Sequence, residues 1–203
     1  MFFYFAAALL IALSIHEYAH AKMADRLGDP TPRLSGRLTL NPFAHLDPLG
    51  TLALLLFHFG WGKPVPIDPY NLKNPRKDEA LIALSGPASN IIMVLFLALI
   101  SRLFSFMPYE LYLFIVTLAI MNLGLGIFNL LPIGPLDGSK IFLGLLPADL
   151  ADEWRQVLNQ YGLIILILFF LPLGSQDSLL SLTLGSAINF ILSLLFPSIG
   201  QII

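Results

Sequence analysis

The sequence predicts an all-α polytopic membrane protein of about five transmembrane helices, with a small membrane-associated β segment and a short interfacial or re-entrant helix. Three observations support this. Of its 203 residues, 57% are hydrophobic and 12% charged, against about 25% charged in an ordinary soluble domain. Mean hydropathy is +0.80. Long apolar runs alternate with short segments that hold most of the charge, and a bilayer-crossing helix needs about 20 such residues. The length suits one integral-membrane domain over 1–203. Net charge is −2, which gives no footprint for a nucleic-acid partner, and the lipid bilayer is the expected surroundings. The absence of cysteine excludes disulfides, thiolate ligands and a cysteine nucleophile.

The first span is expected over 2–26. It lacks a basic n-region and a small-residue cleavage site, so it reads as a retained span and not a signal peptide. Leu27-Gly28-Asp29-Pro30 stops it. Residues 33–40 place Leu34, Leu38 and Leu40 on one side and read as a strand. Asn41-Pro42 and Asp47-Pro48 signal turns. Residues 49–59 are apolar but too few to span, so they read as the interfacial or re-entrant helix. Residues 60–67 read as an edge strand, because Pro64 and Pro66 cannot donate to a ladder. After a polar loop, the second span covers 79–103. Its Ser85-Gly86-Pro87-Ala88-Ser89-Asn90 stretch allows close helix approach.

The third span covers 111–131, with Asn122 and Asn129 on one face. Pro132 to Gly138 carries two prolines and two glycines and reads as extended, followed by a short helix over 139–146. The fourth and fifth spans are expected over 156–172 and 179–196. The fourth is short, with Trp154 and Tyr161 as interfacial anchors.

Charge sets the orientation. Eight of the eleven basic residues lie from the last turns of the first span to the start of the second: Lys22, Arg26, Arg33, Arg37, Lys63, Lys73, Arg76 and Lys77. The positive-inside rule then places the N-terminus outside, the C-terminus inside and the membrane as a cell membrane crossed several times. His16 and His20 fall near the cytoplasmic end of the first span, and Asp137 just past the cytoplasmic end of the third.

The chemistry centres on His16-Glu17-Tyr18-Ala19-His20. Charged side chains at this depth cost roughly 2.5–3.5 kcal/mol each on insertion scales. On one helix, His16 and His20 share a face and can hold one zinc ion, with Glu17 on the adjacent flank. Zinc lowers the pKa of its water towards about 7, and the carboxylate takes the proton. The plainer reading is a buried hydrogen-bonded cluster of two histidines and a glutamate. A catalytic zinc needs about three protein ligands and an open position. The third could be His45, from a loop able to fold over the site, or Asp137, from a glycine-flanked segment. Asp25 points away from the pair, and His58 reads as a packed or interfacial histidine.

His16-Glu17-Tyr18-Ala19-His20, with Asn129-Leu130-Leu131-Pro132 leading to Leu136-Asp137-Gly138, resembles the two signatures of the site-2 protease family of intramembrane zinc metalloproteases. Gly86-Pro87-Ala88-Ser89-Asn90 resembles a third family feature. Gly60-Trp61-Gly62-Lys63-Pro64-Val65-Pro66 is similar to the compact prokaryotic members. The resemblance covers residues 14 to 140. It implies one zinc held by His16, His20 and Asp137, with Glu17 as general base and acid. Asn129, and with less weight Asn90, would bind substrate or an oxyanion; the plainer role for both is an interhelical hydrogen bond. The chain shows no insertion long enough for a PDZ domain and no C-terminal CBS-like domain.

The implied substrate is the transmembrane helix of another protein, cleaved in regulated intramembrane proteolysis. A helical peptide bond must unwind before attack, and the strands at 33–40 and 60–67 could receive it by β-strand addition. Two other classes use the same residues: a metal- or proton-coupled transporter, and an inactive relative that binds membrane helices. No inverted repeat supports the first, and the intact Glu17 argues against the second.

Overall fold

The computed structural model describes residues 2–57, 60–104, 106–172 and 178–196. Its helices are α1 (Phe2–Leu27), α2 (Thr31–Leu34), α3 (Pro48–Phe57), α4 (Pro75–Leu103), α5 (Tyr109–Asn129), α6 (Asp137–Leu145), α7 (Ala148–Phe170) and α8 (Ser186–Leu195). Tight 3-10 turns lie at Pro42–Ala44 and Pro69–Asn71, and a π-helical turn at Ser181–Gly185 leads into α8.

Helices α1, α4 and α5 pack against one another, and α6 packs on α4. Small residues make this possible. Ala8, Ala12, Ala21 and Ala24 of α1 are completely buried, so backbones approach without long side chains between them. On α5, a Cβ at Gly126 would meet the Pro87 carbonyl and Asn90 Cβ at 3.3 Å. The main apolar cluster joins Val94, Leu97 and Ala98 of α4 to Val116, Ala119 and Leu123 of α5. Leu192 and Phe196, from the C-terminal end, close it. Outward-facing Ile92, Leu95, Phe96 and Leu99 leave an apolar flank on α4, as a helix in hydrocarbon requires.

Among the described residues, three helices are long and apolar enough to cross a membrane: α1, α4 and α5. The fourth and fifth expected spans are helical but weaker by that measure. Helix α7 opens with Asp149, Asp152, Glu153 and Arg155, and Ser181–Leu195 is a shorter apolar helix.

The β segment requires correction. Among the described residues there is no strand ladder, only isolated bridges. Thr31–Leu34 is a helical turn, and Gly36 at φ +69° turns the chain again, so the leucine alternation at 33–40 spans two turns. Arg37 points inward and is buried. Its guanidinium donates to the carbonyls of Ala44 and Lys63, and to that of Pro64 at 2.9 Å. Residues 60–67 run without a ladder and make one antiparallel bridge, Leu46 to Gly62; Pro64 and Pro66 interrupt any further pairing. The short apolar helix forms as α3, and His58 lies outside the described residues.

The end of α1 is fixed by Gly28, at φ +109°, and by Asp29, whose N–H bonds the Ala24 carbonyl at 3.0 Å; this is a left-handed glycine C-cap. The buried Asp29 carboxylate accepts from Thr31 N at 3.0 Å, Thr31 Oγ1 at 2.5 Å, Asp68 N at 2.8 Å and Asn71 Nδ2 at 2.9 Å. Burial alone would raise this carboxyl, but those four donors outweigh it and hold it below the usual carboxylate range. Asp29→Ala is expected to cost about 2–3 kcal/mol by stranding buried donors. Because the native pKa is the lowered one, the stabilisation is complete above about pH 4, the unfolded value. It is lost as pH falls through the native value. Thermal unfolding in detergent micelles checks both: the gap between wild type and Asp29→Ala should be constant at neutral pH and shrink below pH 4.

Candidate active site

Helix α1 carries His16 and His20 one turn apart, and α6 begins with Asp137. Tertiary packing brings the three together. His16 Nε2 and His20 Nε2 each lie 3.1 Å from Asp137 Oδ2, and the two Nε2 atoms lie 3.0 Å apart. Both histidines are buried.

The outer ring nitrogens decide the protonation. His16 Nδ1 is 2.6 Å from Asn90 Oδ1, and His20 Nδ1 is 2.7 Å from the Ile82 carbonyl oxygen. Both partners are acceptors, so both Nδ1 atoms carry the proton and donate. In the neutral rings each Nε2 is then a bare lone pair. With both rings neutral, two lone pairs and a carboxylate oxygen face one another. Three electron-pair donors at this separation fit a cation, and two imidazoles with one carboxylate is a donor set of catalytic zinc. His16, His20 and Asp137 form the cluster able to hold a metal among the described residues.

Missing side chains make the room. A Cβ at Gly86 of α4 would stand 2.5 Å from His20 Nε2 and Cε1 and 2.8 Å from His16 Cε1. A Cβ at Gly138 would collide with the carbonyls of Leu130 and Leu131, so only glycine lets the first turn of α6 sit on the end of α5. The stretch before Asp137 folds as turns, with the Leu136 N–H on the Ile133 carbonyl at 2.8 Å. Asp137 therefore sits on the first helical turn of α6 and not on an extended segment, and its negative charge lies at the favourable end of the helix dipole.

Glu17 is half-buried on the flank of α1, within electrostatic reach of His20 and Arg37. Asn90 is fully buried and bonded to His16. Asn129 stands apart: it ends α5 and donates to the Leu125 carbonyl at 3.0 Å. His45 is buried outside the cluster, with Nε2 2.8 Å from the Thr39 carbonyl. Asp25 pairs with Arg33 at 3.3 Å.

The sequence marks Asn122 only as a polar residue on one face of its span and Arg37 only as an orienting charge, and it gives no sign of the Ile82 carbonyl as a partner of His20. An asparagine in an apolar span was the available signal for Asn122. A backbone carbonyl carries none. Gly86→Ala is expected to push the imidazoles apart, and zinc analysis of the purified variant should show substoichiometric metal in a protein that still folds, since overpacking costs about 1–3 kcal/mol.

Residues 105–169 match the model of peptidase family M50. The chain is 39% identical over 181 residues to YwhC of Bacillus subtilis, provisionally assigned as a zinc metalloprotease, covering 85% of this chain and 82% of that one. It is 31% identical over 176 residues to Rip2 of Mycobacterium tuberculosis, of the same provisional assignment, covering 81% of this chain and 65% of that one. It is 26% identical over 138 residues to the zinc metalloprotease MJ0392 of Methanocaldococcus jannaschii, covering 68% and 33%. No solved structure matches the chain. With a relative matched along most of both chains, and two lone pairs and a carboxylate converging where the H-E-x-x-H and L-D-G residues meet, this chain belongs to peptidase family M50, the site-2 protease family of zinc metalloproteases.

Proposed function

We propose that this zinc-dependent metalloendopeptidase hydrolyses peptide bonds within or near the transmembrane helix of other membrane proteins. The observation that carries the reading is the convergence of His16, His20 and Asp137 beside Glu17, where α6 meets α1, a helix long and apolar enough to cross a membrane. When bound there, zinc supplies Lewis acidity and brings the pKa of its water towards about 7. His16, His20 and Asp137 hold the ion. Asn90 and the Ile82 carbonyl keep both imidazoles turned towards it. Glu17 takes the proton from the attacking water as the carbon–oxygen bond forms. It returns that proton to the leaving amine as the carbon–nitrogen bond breaks. Asn129 Nδ2 spends one of its two hydrogens on the Leu125 carbonyl and keeps the other for substrate or an oxyanion.

A substrate helix must unwind to reach these groups, and its freed backbone needs partners. The stretch at 60–67 suits that role. It lies outside any ladder, and Lys63, Pro64 and Pro66 are exposed along it. The basic residues between α1 and α4 support an N-terminus outside and a site towards the cytoplasmic side of a prokaryotic cell membrane. With α7 and Ser181–Leu195 as further crossings, the C-terminus lies inside.

Glu17→Gln should keep stoichiometric zinc and lower cleavage of a single-span substrate at least about 100-fold; undiminished cleavage would remove Glu17 as the base. His20→Ala should lose both zinc and cleavage. Val65→Pro removes one N–H from the proposed docking edge. It should lower kcat/KM about fivefold, the worth of about 1 kcal/mol of hydrogen bond, with zinc content unchanged.

A further inference from the structure

The metal-facing state of His16 is set two helices away. Asn122 of α5 is completely buried, and its Nδ2 donates to the Leu118 carbonyl at 2.8 Å. A backbone carbonyl only accepts, so the amide of Asn122 has one orientation, with Oδ1 directed away from Leu118. That oxygen accepts from Asn90 Nδ2 at 2.9 Å, and the same Nδ2 donates to the Ala12 carbonyl at 3.1 Å. The orientation of Asn90 is fixed in turn. Its Oδ1 is left to face His16 Nδ1 at 2.6 Å, so His16 carries its proton on Nδ1 and presents a lone pair at Nε2.

We infer that Asn122 is a positioning residue of the metal site, acting through Asn90 to select the metal-binding tautomer of His16. The inference rests on the zinc reading above and adds a residue that touches neither metal nor substrate. The bland alternative is that Asn90 and Asn122 merely tie α1, α4 and α5 together. The two differ in one respect. Helix tying needs a donor at 90 for Ala12 and Asn122. Tautomer selection needs an acceptor at 90 for His16.

If Asn122 is replaced by leucine, of similar bulk and without polar atoms, Asn90 loses the shorter of the two acceptors that hold its orientation and keeps only the Ala12 carbonyl at 3.1 Å. A turned amide would place an N–H against His16 Nδ1 and favour the tautomer with the proton on Nε2. That tautomer has no lone pair for a metal. An aspartate at 90 presents an oxygen to His16 in either orientation, so it makes Asn122 dispensable for this purpose, although it cannot restore the donors to the helix contact.

The test measures zinc affinity by chelator competition on the full chain in detergent, for wild type, Asn122→Leu, Asn122→Leu with Asn90→Asp, and His16→Ala. Thermal unfolding is recorded alongside. Asn122→Leu is expected to raise the zinc dissociation constant about 10- to 100-fold. The double variant should recover most of that loss while its melting temperature stays low. Unchanged affinity in Asn122→Leu, or a double variant no better than the single, overturns the inference. Zinc unaffected by His16→Ala overturns the metal reading beneath it, which keeps the two failures distinct. Nitrogen-15 NMR of histidine-labelled, zinc-free wild type gives an answer that no variant's folding can obscure: His16 protonated on Nδ1 is expected, and His16 protonated on Nε2 overturns the inference.

Discussion

Two imidazole lone pairs and a carboxylate oxygen repel one another unless something positive joins them, and the helical arrangement serves to keep them together. His16 and His20 come from one turn of α1, while Asp137 arrives more than a hundred residues later at the start of α6. Each approach depends on a side chain that is absent. Gly86 opens the space beside the imidazoles, Gly138 lets α6 rest on the last carbonyls of α5, and the buried alanines of α1 bring its backbone close to α4. The polar partners of the rings then fix what the rings present. Packing determines where the site lies, and hydrogen-bond direction determines what it can bind.

Much of this was legible in the sequence because it depends on periods that sequence carries directly. Histidines four apart on an apolar run share a helix face whatever the rest of the protein does. The first three spans follow from length and hydropathy, and α3 from an apolar run too short to cross. Asp137 stood out through its glycine and proline neighbours, although its backbone proved to be a helix start and not an extended strand. The failures have a common physical origin. At 33–40 the leucine alternation coincided with a helical turn and a glycine turn, and the decisive residue, Arg37, faced inward where a strand pattern would have faced it outward. The partnership of Asn90 and Asn122 belongs to tertiary structure: an asparagine in a span announces that it needs a partner without saying which.

The connection between α1 and α4 shows how a chain without a ladder satisfies its backbone. Buried peptide groups must find partners, and here two buried charged side chains provide them. Asp29 gathers the N–H groups of Thr31 and Asp68, and Arg37 gathers the carbonyls of Ala44, Lys63 and Pro64. One anion collects donors and one cation collects acceptors. A segment rich in proline, which cannot build a regular sheet, is held in place at two points and left irregular between them.

The two origins of the proposed ligands also separate the helices that the ion would join from those that it would not. On the ligand set proposed above, zinc would join α1 to α6, while the rings are tied to α4 through Asn90 and the Ile82 carbonyl and, through Asn90, to Asn122 of α5; pulling α1 from α6 would then give up metal-binding free energy. A ligand that binds only the assembled state stabilises it by mass action, so the ion would act as a clamp between α1 and α6. Helices α3, α7 and α8 and the stretch at 60–67 contribute no atom to that clamp. A shift of these elements would break no bond to the ion.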